Sequence, residues 1–299
     1  MHLPENSETF KSIVVEKIKT YCDTNIWPFS YEQFAAWLSN FDCKKEEYLA
    51  LQILDNLIVR SNSMAKASYA RLLHSTIRQF LIENSLIEVG TIQKWKSHLV
   101  NGTLAQSLRF CPVKLDNDQG ESGSVIYRML SEELDTDRYS YAKATKPPKV
   151  VVLIDDFIGS GSQFDDFANQ IGLEDLMQQS TVLYCPLIGF ELGIKKIQKK
   201  YSQLQIHPAE LIYEADGFFY GNDKELFKND LQNTVADVKQ AFANMHVKYA
   251  PKMDNWFGYE EAGLPLAFEW GCPNQTPPLL YMYKSKYVQS WQQLFGRRA

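Results

Sequence analysis

The chain has 299 residues, 45% hydrophobic and 22% charged, which is the profile of a soluble globular protein with one large domain or a full domain plus a smaller one. A formal net charge of −5 argues against a surface that coats nucleic acid, although it leaves room for a local basic patch. Five scattered cysteines (Cys22, Cys43, Cys111, Cys185 and Cys272) without a CxxC pair indicate neither a disulfide framework nor a zinc knuckle, and they fit a reducing cytoplasm. The start, Met1-His2-Leu3-Pro4-Glu5, lacks a basic region before an apolar core, and no uncharged apolar run approaches ~18 residues, so neither secretion nor membrane spanning is expected.

Residues 8 to about 100 read as helical. Phe10, Ile13, Val14 and Ile18 recur at helical spacing, and Phe34, Trp37 and Leu38 follow a capping candidate, Ser30. From Glu46 to Val59 apolar residues are so dense (Tyr48, Leu49, Leu51, Ile53, Leu54, Leu57, Ile58) that this helix is expected in the middle of its domain. A further helix over Ala67–Glu83 carries Arg71, His74 and Arg78 on its wetter side. The expectation is an all-helical domain over residues 1–104. An arginine-bearing helix among three or four short ones admits a winged-helix-like reading with nucleic acid as partner. The balance of acids and bases, with no base-reading set of residues, instead favours a solvated face on a lid or on a domain that binds a protein partner.

From residue 105 strands alternate with helices, which predicts an α/β domain over 105–299, a mainly parallel sheet flanked by helices. The predicted strands are Ser107–Val113, Val150–Ile154, Thr181–Ile188, Ala209–Tyr213 and Leu264–Glu269. The predicted helices are Ser124–Leu134, Gln163–Gln170, Leu192–Tyr201 and Lys224–Ala243. Pro147-Pro148 ends the segment before the second strand and fixes its start.

That second strand opens the most informative stretch of the chain. Val150 to Ile154 are all aliphatic, as in a strand covered on both faces. Parallel sheets bind ligands beyond the carboxyl ends of their strands, which is where Asp155 and Asp156 are expected. Gly159 and Gly161 let the backbone turn its amides toward a ligand, Ser160 and Ser162 add hydroxyls, and Ser162 is the expected cap of the next helix. A helix N-terminus favours a phosphate, and adjacent carboxylates can accept from vicinal hydroxyls or help to place a cation.

The segment from Val150 to Gln163 resembles the PRPP motif of type I phosphoribosyltransferases: hydrophobic residues, two acids, then a short Ser/Thr/Gly loop. The resemblance implies that Asp155 and Asp156 hold the ribose 2′ and 3′ hydroxyls, and that Gly159, Ser160, Gly161, Ser162 and Gln163 hold the 5′-phosphate. Gly159 and Gln163 depart from it, standing where the family usually has Ser or Thr. It further implies Mg²⁺ bound together with PRPP, and a pyrophosphate loop early in the sheet. The best match to that loop is Ser122, Gly123 and Ser124, which open a predicted helix and could equally form a simple cap and turn. Trp270-Gly271-Cys272-Pro273-Asn274-Gln275-Thr276-Pro277-Pro278 also resembles the C-terminal signature of phosphoribosyltransferase-like proteins from bacterial conflict and antiphage systems (retron-type), which pair a helical module with such a core. In that resemblance Asn274 and Thr276 become ligand contacts and Trp270 a stacking surface.

The five histidines (His2, His74, His98, His207, His246) lack the i, i+4 spacing of a helical metal pair, and there is no GxxxxGK[ST] loop and no GxSxG elbow. Two readings stay open. One is a phosphoribosyl or related glycosyl transferase acting at C1′, as an antiphage effector. The other is a sensor that binds PRPP or a nucleotide without turnover and works through its helical domain. No general base emerges from the sequence.

Overall fold

The structure, a computed structural model, describes residues 1–115, 122–220, 230–283 and 291–297, and of residues 122–124 the backbone alone. Helices α1 (Ser7–Asp23), α2 (Tyr31–Leu38) and α3 (Lys44–Asp55) lead to a short strand, β1 (Ile58–Arg60). Ser30 starts α2 as expected, its Oγ accepting from the Gln33 N–H at 3.2 Å. Helix α4 (Asn62–Arg71) runs through a π-helical stretch, Leu72–Ile77, into α5 (Arg78–Glu83), so the helix expected over Ala67–Glu83 is widened in its middle. Then come α6 (Ile92–Asn101), β2 (Leu108–Pro112), α7 (Ser122–Met129), β3 (Val150–Ile158), α8 (Ser162–Ile171), α9 (Leu173–Gln179), β4 (Thr181–Phe190) and α10 (Glu191–Lys200). The last elements are β5 (Gln205–Ile206), β6 (Glu210–Ile212), α11 (Val235–Tyr249) and β7 (Leu266–Phe268). No helix among the described residues is long and apolar enough to cross a membrane.

The chain forms two compact units, one of Met1–Asn62 with Tyr213–Arg298 and one of Ser63–Ile212. This grouping differs from a single break after residue 104. In the first unit both ends of the chain build one core: Phe10, Ile18, Trp37, Leu49 and Ile53 cluster with Phe219, Phe242, Trp256 and Leu279. The Trp37 indole N–H donates to the Leu279 carbonyl at 3.1 Å, which lets a polar atom enter that core satisfied. Strand β1, expected as the end of a helix, pairs in parallel with β7 from Ile58↔Leu266 to Arg60↔Phe268. A winged helix needs an antiparallel hairpin; in residues 1–104 the strand is partnered instead by a segment two hundred residues away in sequence. Strand β7, expected in the large sheet, is thus part of a two-stranded one. Helix α11 starts at Val235, where Thr234 and Asp237 form a reciprocal cap, whereas the helix expected from Lys224 has its first residues outside those described.

The second unit holds a parallel sheet in the order β2-β3-β4, with β5 and β6 both on the outer edge of β4. All nine residues of β3 are buried, as the aliphatic run predicts. Each fully buried Val or Leu contributes roughly 1.5–3 kcal/mol, and Val151, Leu153, Val182 and Tyr184 meet Phe164 and Phe167 of α8 and Ile197 of α10 in one layer. The parallel α/β expectation therefore holds in this unit, with β2, β3 and β4 each followed by a helix.

His207, between β5 and β6, donates its amide to the Tyr184 carbonyl at 2.8 Å and sets its ring edge-on to Phe80 at 5.6 Å. Burial pushes its pKa below the ordinary 6.5. The unfolded chain therefore binds a proton that the folded one refuses, so stability falls as pH drops through 6.5 and the loss is complete below the folded value. His207→Gln is expected to flatten the decline in thermal midpoint between about pH 7 and about pH 5. A variant as acid-sensitive as the wild type removes His207 as the cause.

Candidate functional site

Strand β3 is paired on both edges as far as Ile154, where β2 ends with Pro112↔Ile154 and the Val113 N–H donates to the Ile154 carbonyl at 2.8 Å. On the other edge β4 continues to Ile158↔Gly189. Asp155 and Asp156 lie in this last third of β3. The expectation that they follow the strand is corrected, because Phe157 and Ile158 continue the ladder beyond them. Successive strand residues face opposite sides of a sheet, so the two carboxylates serve different faces. Asp155 is 5% exposed and Asp156 0%.

Asp155 is held firmly. Its Oδ2 accepts from the Tyr184 hydroxyl at 2.6 Å and its Oδ1 accepts from the Asp156 N–H at 2.9 Å. The Tyr184 ring stacks on Phe164 of α8, centroids 4.4 Å apart and planes 16° from parallel. Burial first, and then the Asp155 charge, pushes the Tyr184 phenol well above its ordinary 10, so it remains a donor throughout the physiological range. From α4, the Tyr69 hydroxyl donates to the Asp155 carbonyl. Tyr69 is likewise raised well above its ordinary value, by burial and then by Asp155 and Asp156. Sequence reading missed both tyrosines, since nothing local marks a phenol that acts on a residue of another strand.

The loop after β3 is shaped by glycines. Gly161 has φ 81°, a left-handed conformation that a side chain rarely adopts, and it is the residue before α8. Helix α8 begins at Ser162, so Ser162 is its first residue and not its cap; Gly161 supplies no side-chain cap. The Ser160 Oγ lies 3.2 Å from the Ser162 Oγ and 3.4 Å from the Ser162 N. The Ser160 hydroxyl thus accepts from the first amide of α8, at a helix end of the kind that favours anions. Gly193 of α10 makes the loop's geometry attainable, because a Cβ there would lie 1.9 Å from the Gly159 carbonyl oxygen. From the same helix, Lys196 Nζ reaches the Ser162 Oγ at 3.3 Å.

The remaining expected residues lie on other segments of the chain. Ser122, Gly123 and Ser124 open α7 by their backbone, while residues 116–121 of the supposed pyrophosphate loop, and the side chains of 122–124, lie outside those described. Trp270, Asn274 and Thr276 belong to the unit of Met1–Asn62 and Tyr213–Arg298. There Trp270 stacks on Phe268 at 4.7 Å, and the Asn274 Oδ1 accepts from Arg297 Nη2 at 3.0 Å. The Thr276 hydroxyl, 0% exposed, donates to the Leu266 carbonyl at 2.5 Å and ties the Pro-rich turn to β7. Of the residues on the wetter side of α4–α5, Arg71 donates to the Ala209 carbonyl at 2.7 Å, Arg78 to the Gly90 carbonyl at 2.5 Å, and His74 pairs with Glu133 at 2.6 Å.

A parallel sheet, a strand-end acid pair and a glycine loop leading into a helix agree with one more finding: residues 34–297 match the family described as PRTase-CE. The chain belongs to the PRTase-CE family. It is a phosphoribosyltransferase-like protein, and the match runs through residues of both compact units. No curated protein matches the chain.

In this PRTase-CE chain the approach of α10 to the loop rests on a missing side chain. Gly193→Ala puts a methyl group into the Gly159 carbonyl, a backbone atom that cannot swing away. The variant is expected to lose roughly 2–3 kcal/mol of stability, measured as a lower urea midpoint at unchanged slope. A midpoint within error of wild type refutes the close contact.

Proposed function

We propose that this chain binds PRPP or a related ribose 5-phosphate and transfers or cleaves at C1′. The observation that supports this most is the continuity of acid pair, glycine loop and helix start along one stretch, Asp155 to Ser162, at the carboxyl end of a parallel strand. In this reading Asp155 and Asp156 accept from the ribose 2′ and 3′ hydroxyls, which requires the part of β3 beyond the end of β2 to turn both carboxylates toward one ligand. The amides and hydroxyls of Gly159 to Gln163 take the 5′-phosphate, which supplies binding energy remote from the bond that breaks. A carboxylate near C1′ also offsets the positive charge of an oxocarbenium-like transition state. Since both acids are enclosed as they stand, the ligand must open a path to them, and Tyr69 on α4, which donates to the Asp155 carbonyl, is one group that lies over this part of β3.

Among the described residues no three His, Cys, Asp or Glu side chains gather as a metal site. Mg²⁺ is a hard cation that takes one or two carboxylates and otherwise phosphate oxygens and water. It would be held chiefly by the pyrophosphate and ribose oxygens of the ligand, where its chemistry is to neutralise the departing pyrophosphate.

A second reading, binding without turnover, is favoured by the enclosure of the acids and by Gly159 and Gln163, which replace hydroxyl residues of the motif. The two readings share one test and part at the next. PRPP with Mg²⁺ is expected to raise the thermal midpoint, with stabilisation of about 2.7 kcal/mol at a hundred times Kd. The double variant Asp155→Asn, Asp156→Asn is expected to abolish that rise. An unmoved wild-type midpoint at saturating PRPP would defeat both readings. Pyrophosphate release above the level of the double variant supports transfer or cleavage; its absence with a range of nucleophiles, despite binding, supports the sensor.

A further inference from the structure

Helix α10 turns one face to the loop and to the start of α8. Gly193, Lys196, Ile197 and Lys200 recur at steps of three and four residues, the spacing of a single helical face. Gly193 abuts the Gly159 carbonyl, and the Ile197 Cγ1 lies 3.1 Å from where a Gly161 Cβ would stand. Lys200 pairs with Asp165 of α8 at 3.3 Å. Lys196 reaches the Ser162 Oγ at 3.3 Å.

The charges along this helix are unevenly matched. Lys195 pairs with Glu191 at 2.5 Å and Lys200 with Asp165, whereas Lys196, among the described residues, meets a hydroxyl and no carboxylate. Its ammonium also sits beside the N-terminal end of α8, which carries about half a positive charge and whose capping position, Gly161, has no side chain to cap it. Asp165 in the first turn of α8 is taken up by Lys200, so Lys196 and the helix end together favour an anion placed between them.

We infer that Lys196 is a ligand of the phosphate group bound by the Gly159 to Gln163 loop. The inference rests on the ribose phosphate reading above and deepens it by assigning the site to phosphorylated sugars over unphosphorylated ones. Nζ pairs with one phosphate oxygen, while the hydroxyls of Ser160 and Ser162 and the first amides of α8 serve the others. A lysine acts as a point charge on a flexible stem, so arginine at the same position retains the charge and most of the reach. Sequence alone gives no hint of this role, because Lys196 lies in a run with Lys195, Lys199 and Lys200 that reads as an ordinary solvated face.

The test is calorimetric titration of the full chain with PRPP and Mg²⁺ and, separately, with ribose 5-phosphate. Lys196→Ala is expected to weaken both ligands roughly tenfold, Lys196→Arg to restore most of the affinity, and added salt to cost the wild type more than Lys196→Ala. Lys196 is exposed, so the ligand-free thermal midpoint should stay at the wild-type value. Wild-type affinity in Lys196→Ala, beside weakened binding in the Asp155→Asn, Asp156→Asn variant, overturns the role of Lys196 and leaves the ribose phosphate reading standing. Failure of the wild type to bind either ligand overturns both.

Discussion

The Ser63–Ile212 unit depends on the unequal pairing of β3. Its two edges are matched as far as Ile154, after which β2 stops and β4 continues to Ile158. The aliphatic half of the strand secures its position between neighbours, so the acidic half can extend past the end of β2 without losing its own ladder. One edge of Asp155 and Asp156 is therefore built into the sheet, and the other lies past the end of β2 at the carboxyl end of the sheet, the end at which parallel sheets bind ligands. Tyr184, on the matched side, then fixes the Asp155 carboxylate from the adjacent strand.

A second constraint lies in two helices that meet the same loop. Helix α8 leaves the loop through the left-handed Gly161, and α10 comes up against it at Gly193. Three glycines (Gly159, Gly161 and Gly193) thus occupy one small volume, Gly161 for the path of the loop and Gly193 for the passage of its neighbour past the Gly159 carbonyl. The cost of such a region is the extra conformational entropy of glycine in the unfolded chain, of order 0.5–1 kcal/mol for each. Burial of Phe164, Phe167 and Ile197 directly beneath the loop offsets it.

The strand–acid–glycine–helix order was legible in the sequence because each part is local: five aliphatics in a row, two acids, glycines at fixed steps, then helical spacing. The starts of α2 and α8 were legible to within a residue for the same reason. What sequence could not supply came from distant partners. Ile58 and Val59 looked like the end of a helix because they continue the apolar density of α3, yet Ile58 to Arg60 pair with Leu266 to Phe268. Tyr69, Tyr184 and Lys196 act on Asp155 and Ser162 across long sequence separations. Thr276 looked like a ligand contact within a polar, proline-rich loop, and its hydroxyl is in fact spent on a β7 carbonyl. Composition describes such a loop well, but direction is decided by the fold.

The unit that draws its core from both ends of the chain carries a consequence for how the protein comes into being. Phe10, Trp37 and Leu49 leave the ribosome long before Phe242, Trp256 and Leu279 are made, and they share one core. The nascent N-terminal helices therefore wait with an apolar face uncovered, while Ser63–Ile212, whose strands and helices are contiguous, has all its partners at hand. The residues that close the first unit are made only after the whole of Ser63–Ile212, so a chain cut short before Phe242 has a finished sheet and an unfinished aromatic core.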